Sequence, residues 1–185
     1  DPSTLIIAIS QSGETMDTLM AVRHAKAAGG RVLAICNTNS STIPRESDAV
    51  LYTHAGPEIA VASTKALLTQ IIAVYLIGLH LGQVNGSLKD AEVRDLYKEL
   101  LELPGKIEQI LETVEPLREL TRTFAQNNTV LFLGRNIGYP IALEGALKLK
   151  ELAYIHAEGF AGGELKHGPI ALIDQGTPVI AILPA

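Results

Sequence analysis

A short polar turn, residues 10–15, carries the residue types best suited to chemistry in this sequence. It reads Ser-Gln-Ser-Gly-Glu-Thr, and it stands between a strand-like apolar run and a stretch that fits a helix. Free backbone N–H groups and the positive end of the helix dipole favour an anion at such a junction. Ser10, Ser12 and Thr15 add hydroxyls, and Gln11 adds an amide. The turn therefore predicts a phosphate site.

A plain helix cap is the alternative interpretation of the same turn. Serine and threonine commonly cap helices, so Ser12 or Thr15 alone would not indicate a ligand. A cap needs a single hydroxyl, whereas this turn offers three beside a glycine that permits close approach of the backbone. Because the Gly-Lys-Ser/Thr signature of a Walker loop is absent, we expect neutral donors rather than a lysine to hold the phosphate.

A second candidate group lies on a predicted helix, residues 141–154. Glu144, Lys148 and Glu151 are spaced i, i+4 and i+7 and therefore share one face of this helix. The other residues of the helix are mostly leucine, alanine and glycine, and charges on such an apolar helix are either paired or functional. An ordinary glutamate–lysine pair on a solvated face remains the alternative.

A histidine completes the set of candidates. His167 lies between a lysine and a Gly-Pro pair, so we expect it on an exposed loop, where it would by itself be an ordinary surface histidine. The spacing of His156 and His167 matches no zinc signature, and we expect neither a metal nor a cofactor. Cys36, the only cysteine, lies in a strand-like run and is expected in the core rather than at a reactive site.

The elements that must position these groups alternate between strands and helices, which predicts an α/β fold with parallel sheets. We expect the first strand to be buried on both faces. The apolar helix at 66–81 is shorter than the ~20 residues of a membrane span, and we expect it to be buried. A short turn is expected at 43–47, and an irregular glycine-rich segment at 157–168. The predicted strands are 5–9, 32–36, 49–52, 129–133 and 178–183, and charged helices are predicted at 89–103, 106–112 and 116–127.

Composition excludes several classes of protein. The net charge of −5, without a basic stripe, gives no reason to expect a nucleic-acid partner. A single cysteine excludes a disulfide framework and suits a reducing compartment. No secretory leader pattern opens the chain. We therefore expect a cytoplasmic protein without a membrane partner. The chain starts and stops next to predicted core strands, which leads us to expect a portion of a longer protein.

Four segments together resemble a known family over essentially the whole chain. The segments are residues 10–15, 61–65 (Val-Ala-Ser-Thr-Lys), 142–151 (Ala-Leu-Glu-Gly-Ala-Leu-Lys-Leu-Lys-Glu) and 163–169 (Gly-Glu-Leu-Lys-His-Gly-Pro). The first segment alone is typical of the wider sugar-isomerase (SIS) superfamily. The four in this order closely resemble the isomerase half of the glutamine–fructose-6-phosphate aminotransferase family, also called glucosamine-6-phosphate synthases.

The resemblance implies a role for each matching residue. It implies that Ser10, Gln11, Ser12 and Thr15 bind the phosphate of fructose 6-phosphate. It implies that the sugar is contacted by Ser63 and by the backbone around Val61 and Ala62. The implied catalytic residues are Glu151, which moves a proton between C1 and C2, Lys148, which assists at the ring oxygen, and His167, which serves ring opening. In the family this histidine comes from the neighbouring subunit of a homodimer.

The resemblance also implies flavodoxin-like SIS subdomains with three α/β/α layers, both of them incomplete here. We expect the first at 1–87, a helical connector at 88–126 and the second at 127–185. The family's glutaminase domain and its C-terminal Schiff-base lysine have no counterpart in this sequence, so we expect the chain by itself to be inactive. The implied reaction converts fructose 6-phosphate and glutamine to glucosamine 6-phosphate and glutamate, in hexosamine biosynthesis. A phosphosugar isomerase and a non-catalytic sugar-phosphate sensor are the alternatives.

Overall fold

The computed structural model describes residues 1–184. The chain divides into two compact units, one from Asp1 to Leu100 and one from Leu101 onward. Each unit contains its own three-stranded sheet, and all strand pairs in both sheets are parallel. The α/β fold with parallel sheets flanked by helices is therefore confirmed.

The first unit is built on a sheet of strand order β1-β2-β3. Ser10 lies opposite Cys36, and Cys36 lies opposite Tyr52, so the carboxyl ends of the three strands share one edge. Side chains of α1 and α2 pack on one face of the sheet, around Leu19, Val22 and Ile43. Its elements are β1 (Leu5–Ser10), α1 (Met16–Ala27), β2 (Arg31–Cys36), α2 (Thr42–Glu46), β3 (Ala49–Tyr52), α3 (Lys65–Val84) and α4 (Asp90–Leu101).

The second unit has β4 in the middle of its sheet, in the order β5-β4-β6. Its core joins Val130 and Phe132 of β4 to Ala142 and Ala146 of α7, with Ala157 of β5 alongside. Its elements are α5 (Leu103–Leu111), α6 (Glu115–Phe124), β4 (Thr129–Gly134), α7 (Gly138–Ala153), β5 (His156–Ala161) and β6 (Val179–Ile182), with short 3-10 turns at 162–164 and 169–172.

The expectation that β1 is buried on both faces is wrong. Leu5, Ile7 and Ile9 are 47%, 37% and 43% exposed, whereas Ala8 on the opposite face is buried. The physical reason is that the helices α1 and α2 form their buried cluster on the face of Ala8, and the opposite face, with Leu5, Ile7 and Ile9, has no such cover among the described residues. An apolar run predicts a strand, but it does not say how many of its faces are covered.

The expectation that the apolar helix is shorter than a membrane span and buried is also wrong. The helix α3 has 20 residues, so it is long and apolar enough to cross a bilayer by length and composition, a test that core helices of soluble proteins also pass. Only 17% of its most apolar window is buried within the chain. Leu68, Ile71 and Val84 are 51%, 49% and 70% exposed. The helix is longer than expected because it continues past both ends of the apolar run, into Lys65 and residues 82–84. It is largely exposed because little of the described chain packs against it.

The segment expected to be irregular, 157–168, begins instead as the strand β5. Glycine disfavours strands, but here it permits close packing: a Cβ atom at Gly159 would lie 2.9–3.1 Å from atoms of Leu143 on α7. The segment expected to be a turn at 43–47 is the one-turn helix α2. The remaining predicted strands and charged helices are confirmed, with boundaries that differ by a few residues.

Candidate functional site

The polar turn at residues 10–15, which we call the anion turn, is braced by its own hydroxyls. Ser10 is buried, and its Oγ accepts a hydrogen bond from the N–H of Gly13 at 3.0 Å and lies 3.2 Å from the Oγ1 of Thr15. The N–H of Glu14 donates to the Oγ of Ser12 at 3.2 Å. The shape of the turn is thus held by its own hydrogen bonds.

The helix that follows the anion turn has an open N-terminus. Thr15 occupies the N-cap position of α1 in an extended conformation, but its side chain makes no capping hydrogen bond. Thr15 is an exposed residue, and the side-chain hydrogen bond that a plain helix cap would make is not formed. Ser12 and Gln11 are partly exposed beside it.

The anion turn rests on α2 and on the end of β2. Gly13 has a positive φ of 70°, and a Cβ atom there would lie 2.9 Å from the Sγ of Cys36, so only glycine fits. The carbonyl of Gly13 accepts from the N–H of Ile43 at 2.9 Å. Cys36 is buried, which confirms the expectation that it belongs to the core.

Glu14 faces α2 rather than the open end of α1. Its Oε1 accepts from the N–H of Thr42 at 2.8 Å, at the start of α2. Hydrogen bonds from the hydroxyl and the N–H of Thr42, together with the charge of Arg45, hold the pKa of Glu14 below its ordinary value. Its negative charge is therefore engaged away from the predicted phosphate position.

Asn37 links the anion turn to the loop at 53–64, and the sequence analysis missed it. Its N–H donates to the carbonyl of Gln11 at 3.2 Å, and its Nδ2 donates to the carbonyl of Gly56 at 2.7 Å. Its Oδ1 accepts from the N–H of Ala55 at 2.9 Å and from the hydroxyl of Thr53 at 3.1 Å. The available signal was an asparagine directly after a buried strand, at the edge where ligands bind.

The predicted sugar-binding residues lie in this loop, just before α3. Val61 is 93% exposed, whereas Ala62 is buried. The Oγ of Ser63 is buried and has no hydrogen-bond partner among residues 1–184. A buried hydroxyl without a partner is unusual and is consistent with a bond completed by a ligand.

In the second unit, the three charged residues of α7 form one ion-pair cluster. The Nζ of Lys148 lies 2.6 Å from the Oε1 of Glu144 and 3.5 Å from the Oε2 of Glu151. Burial by itself would lower the pKa of Lys148, but the two carboxylates outweigh burial and raise it. The side chains are 21–31% exposed, so they can reach a ligand and still be held by one another.

His167 lies between the two 3-10 turns and is exposed, as its sequence context predicts. Its N–H donates to the carbonyl of Glu164 at 2.9 Å, which fixes its backbone. Its side chain makes no hydrogen bond or ion pair within the part of the chain that the structure describes. The structure therefore groups the predicted phosphate and sugar residues in the first unit and the charged cluster with His167 in the second.

Comparisons with known proteins agree on one family. The SIS domain model matches residues 1–79 and 123–185. A glutamine–fructose-6-phosphate aminotransferase (isomerizing) from Streptomyces coelicolor is 66% identical over the whole chain, and the one from Mycobacterium tuberculosis is 64% identical over the same length. In both, the chain covers only 30% of the relative's length.

Solved structures give the same grouping. The C-terminal domain of glucosamine-fructose-6-phosphate aminotransferase from Francisella tularensis superposes with a TM-score of 0.95 at 42% identity, over 98% of this chain and 51% of that one. A glucosamine-6-phosphate deaminase from Thermotoga maritima has a TM-score of 0.69 at 24% identity, over 98% and 53% of the two chains. At that identity the second match supports the shared fold alone.

Proposed function

Because the chain belongs to the SIS-domain family, we propose that it is the sugar-phosphate-binding isomerase portion of a glutamine–fructose-6-phosphate aminotransferase. The reaction of the whole enzyme would convert fructose 6-phosphate and glutamine to glucosamine 6-phosphate and glutamate. The identity of 66% to a relative of that name supports the proposal, although the chain spans about 30% of that relative's length.

The observation that carries the proposal is the open N-terminus of α1 behind the anion turn. Unpaired N–H groups at a helix start, with neutral hydroxyls around them, are suited to a phosphate dianion. In this proposal Ser12, Thr15 and Gln11 bind the phosphate directly. Ser10, which is buried and bonded within the turn, contributes mainly by keeping the turn in shape.

We assign the sugar to the loop that ends at α3. The unpartnered hydroxyl of Ser63 supports a hydrogen bond to a sugar hydroxyl. The backbone at Val61 and Ala62 would complete the contact. These assignments rest on the family resemblance and on the buried, unsatisfied oxygen.

We assign the proton transfers to the second unit. Glu151 would act as the base that moves a proton between C1 and C2, because an aldose–ketose shift needs one group that both accepts and returns the proton. Lys148, held between two carboxylates, would assist at the ring oxygen. His167 would give and take a proton in ring opening, and we propose that it acts on the neighbouring subunit of a homodimer.

The organisation of the whole protein follows from the same proposal. Residues 1–87 and 127–185 would belong to two SIS subdomains, with 88–126 as the helical connector. A glutaminase domain of the same polypeptide would supply ammonia, and the reaction would take place in the cytoplasm without a cofactor.

Binding of the phosphate group is the feature to test first. We expect isothermal titration to show that the protein binds fructose 6-phosphate at least about tenfold more tightly than fructose, since charge-assisted bonds to the phosphate are worth ~1.5–3 kcal/mol each. Equal affinity for the two sugars would refute the proposal. Incorporation of ammonia into the product by the full-length enzyme would then distinguish an aminotransferase from a simple phosphosugar isomerase and from a sensor.

A further inference from the structure

Two helices of the first unit begin near the carboxyl edge of its sheet, and their N-termini differ. The N-terminus of α1, behind the anion turn, has no capping side chain. The N-terminus of α3 is filled by a carboxylate, that of Glu58. Both helix N-termini favour anions, so the N-terminus without a carboxylate should attract a phosphate group and the one that already binds a carboxylate should not.

Glu58 is held in place by the first residues of α3. Its Oε2 accepts from the N–H of Ala66 at 3.0 Å and from the N–H of Thr64 at 3.2 Å. Its Oε1 accepts from the hydroxyl of Thr64 at 3.0 Å. These bonds, that from the Ala66 N–H foremost, lower the pKa of Glu58, so it is a fixed negative charge at neutral pH.

The loop that carries Glu58 is tied to the anion turn. Asn37 bonds to Gln11 of the turn and to Gly56, two residues before Glu58. The sheet and α3 also approach each other here, because Ile9, just before the turn, and Leu67, in the first turn of α3, line one apolar depression. Glu58 therefore lies on the same side of the unit as the anion turn, beside the predicted sugar residues 61–63.

We propose that Glu58 makes this site selective for sugars that carry a single phosphate group. It occupies the helix end that would otherwise attract a second phosphate, and its charge repels one. The nearby positive charge of Lys65 also helps to lower the pKa of Glu58. The inference rests on the proposed role of the anion turn and adds a limit on the substrate class.

The experiment compares fructose 6-phosphate with fructose 1,6-bisphosphate as ligands of the wild-type protein and of Glu58→Gln. The glutamine keeps an oxygen that accepts from the helix N–H groups but removes the charge. The matched control is Glu92→Gln, because the Oε2 of Glu92 accepts from the N–H of Lys89 at 2.8 Å near the start of α4. That site is separated from Glu58 by the length of α3, about 30 Å.

We expect the wild-type protein to bind the monophosphate more tightly. In Glu58→Gln, the ratio of the two dissociation constants should shift toward the bisphosphate by about tenfold or more, as expected for loss of a like-charge repulsion. The control should leave the ratio unchanged. A smaller fraction of folded protein affects both dissociation constants equally and leaves their ratio unchanged, so the test remains valid for a destabilised variant.

An unchanged ratio in Glu58→Gln, with tight binding of fructose 6-phosphate in the wild type, would overturn the inference and leave the proposed function standing. Glu58 would then be only a helix cap. A wild-type protein that binds neither sugar phosphate better than fructose would refute the proposed function of the anion turn, and this inference with it.

Discussion

The variant Thr15→Ala distinguishes between the two interpretations of Thr15, a phosphate-binding residue and a plain helix cap. Loss of a working N-cap side chain costs about 0.5–2 kcal/mol of stability. Thr15 is an exposed residue, its side chain makes no capping bond, and its hydroxyl lies 3.2 Å from the Oγ of Ser10. We therefore expect the free energy of unfolding to fall by no more than about 1 kcal/mol, the net contribution of that one hydrogen bond.

The effect of Thr15→Ala on binding should be larger. One charge-assisted hydrogen bond to the phosphate is worth ~1.5–3 kcal/mol, which corresponds to fructose 6-phosphate binding about 10- to 150-fold weaker. Removing the hydroxyl of Ser12 as well should weaken binding further, by several kcal/mol in total at most. The measurement is isothermal titration of each variant, paired with urea unfolding in the absence of ligand.

Thr69→Ala is the control for the Thr15 experiment. It makes the same chemical change in the same unit but on α3, where the hydroxyl donates to the carbonyl of Ala66 at 2.9 Å, outside the anion turn. Affinity for fructose 6-phosphate should be unchanged in this variant. If Thr15→Ala lost more than ~1 kcal/mol of stability and kept its affinity, Thr15 would be a cap and the site assignment would be wrong.

Three further predictions concern the second unit and the chain as a whole. In the full-length enzyme, Glu151→Gln should retain sugar-phosphate binding, while exchange of the C1–C2 proton with solvent should fall by roughly 10²–10⁴-fold. The control variant Glu158→Gln should keep both binding and exchange. Exchange at the wild-type rate in Glu151→Gln would mean that Glu151 is only part of a solvated ion pair. Because the carboxylates raise the pKa of Lys148, the ion pairs of Lys148 should stabilise the fold at neutral pH and lose that effect as pH rises through its folded-state pKa, which lies above 10.5. The difference in the free energy of unfolding between wild type and Lys148→Met should therefore become smaller at alkaline pH. A difference that does not depend on pH would contradict this prediction. The 185-residue chain alone should not form glucosamine 6-phosphate from fructose 6-phosphate and ammonium, and product formation at the rate of the full-length enzyme would show that its catalytic set is complete.

Most of the elements could be predicted from the sequence because their signals are local. An apolar run before a polar turn predicted β1, and the stretch after that turn predicted the helix α1. The anion turn was found in the same way, since its hydroxyls and its helix start are contiguous. The i, i+4 and i+7 spacing likewise placed Glu144, Lys148 and Glu151 on one face, and the structure joins them in one ion-pair cluster.

The tertiary structure decided the features that depend on distant partners. The sequence could not show that α3 is largely exposed within the chain, because burial depends on what packs against a helix and not on its composition. It could not predict β5, since the close contact of Gly159 with Leu143 exists only once α7 packs on the sheet.

The sequence by itself therefore determined the parallel α/β fold, the polar turn between β1 and α1, and the family, because periodicity, turn chemistry and motifs are properties of neighbouring residues. Only the tertiary structure showed that Asn37 joins the turn to Gly56, 19 residues away, and that Glu58 fills the start of α3. These bonds depend on strand register and on the path of a loop, which bring together donors and acceptors that no local pattern relates.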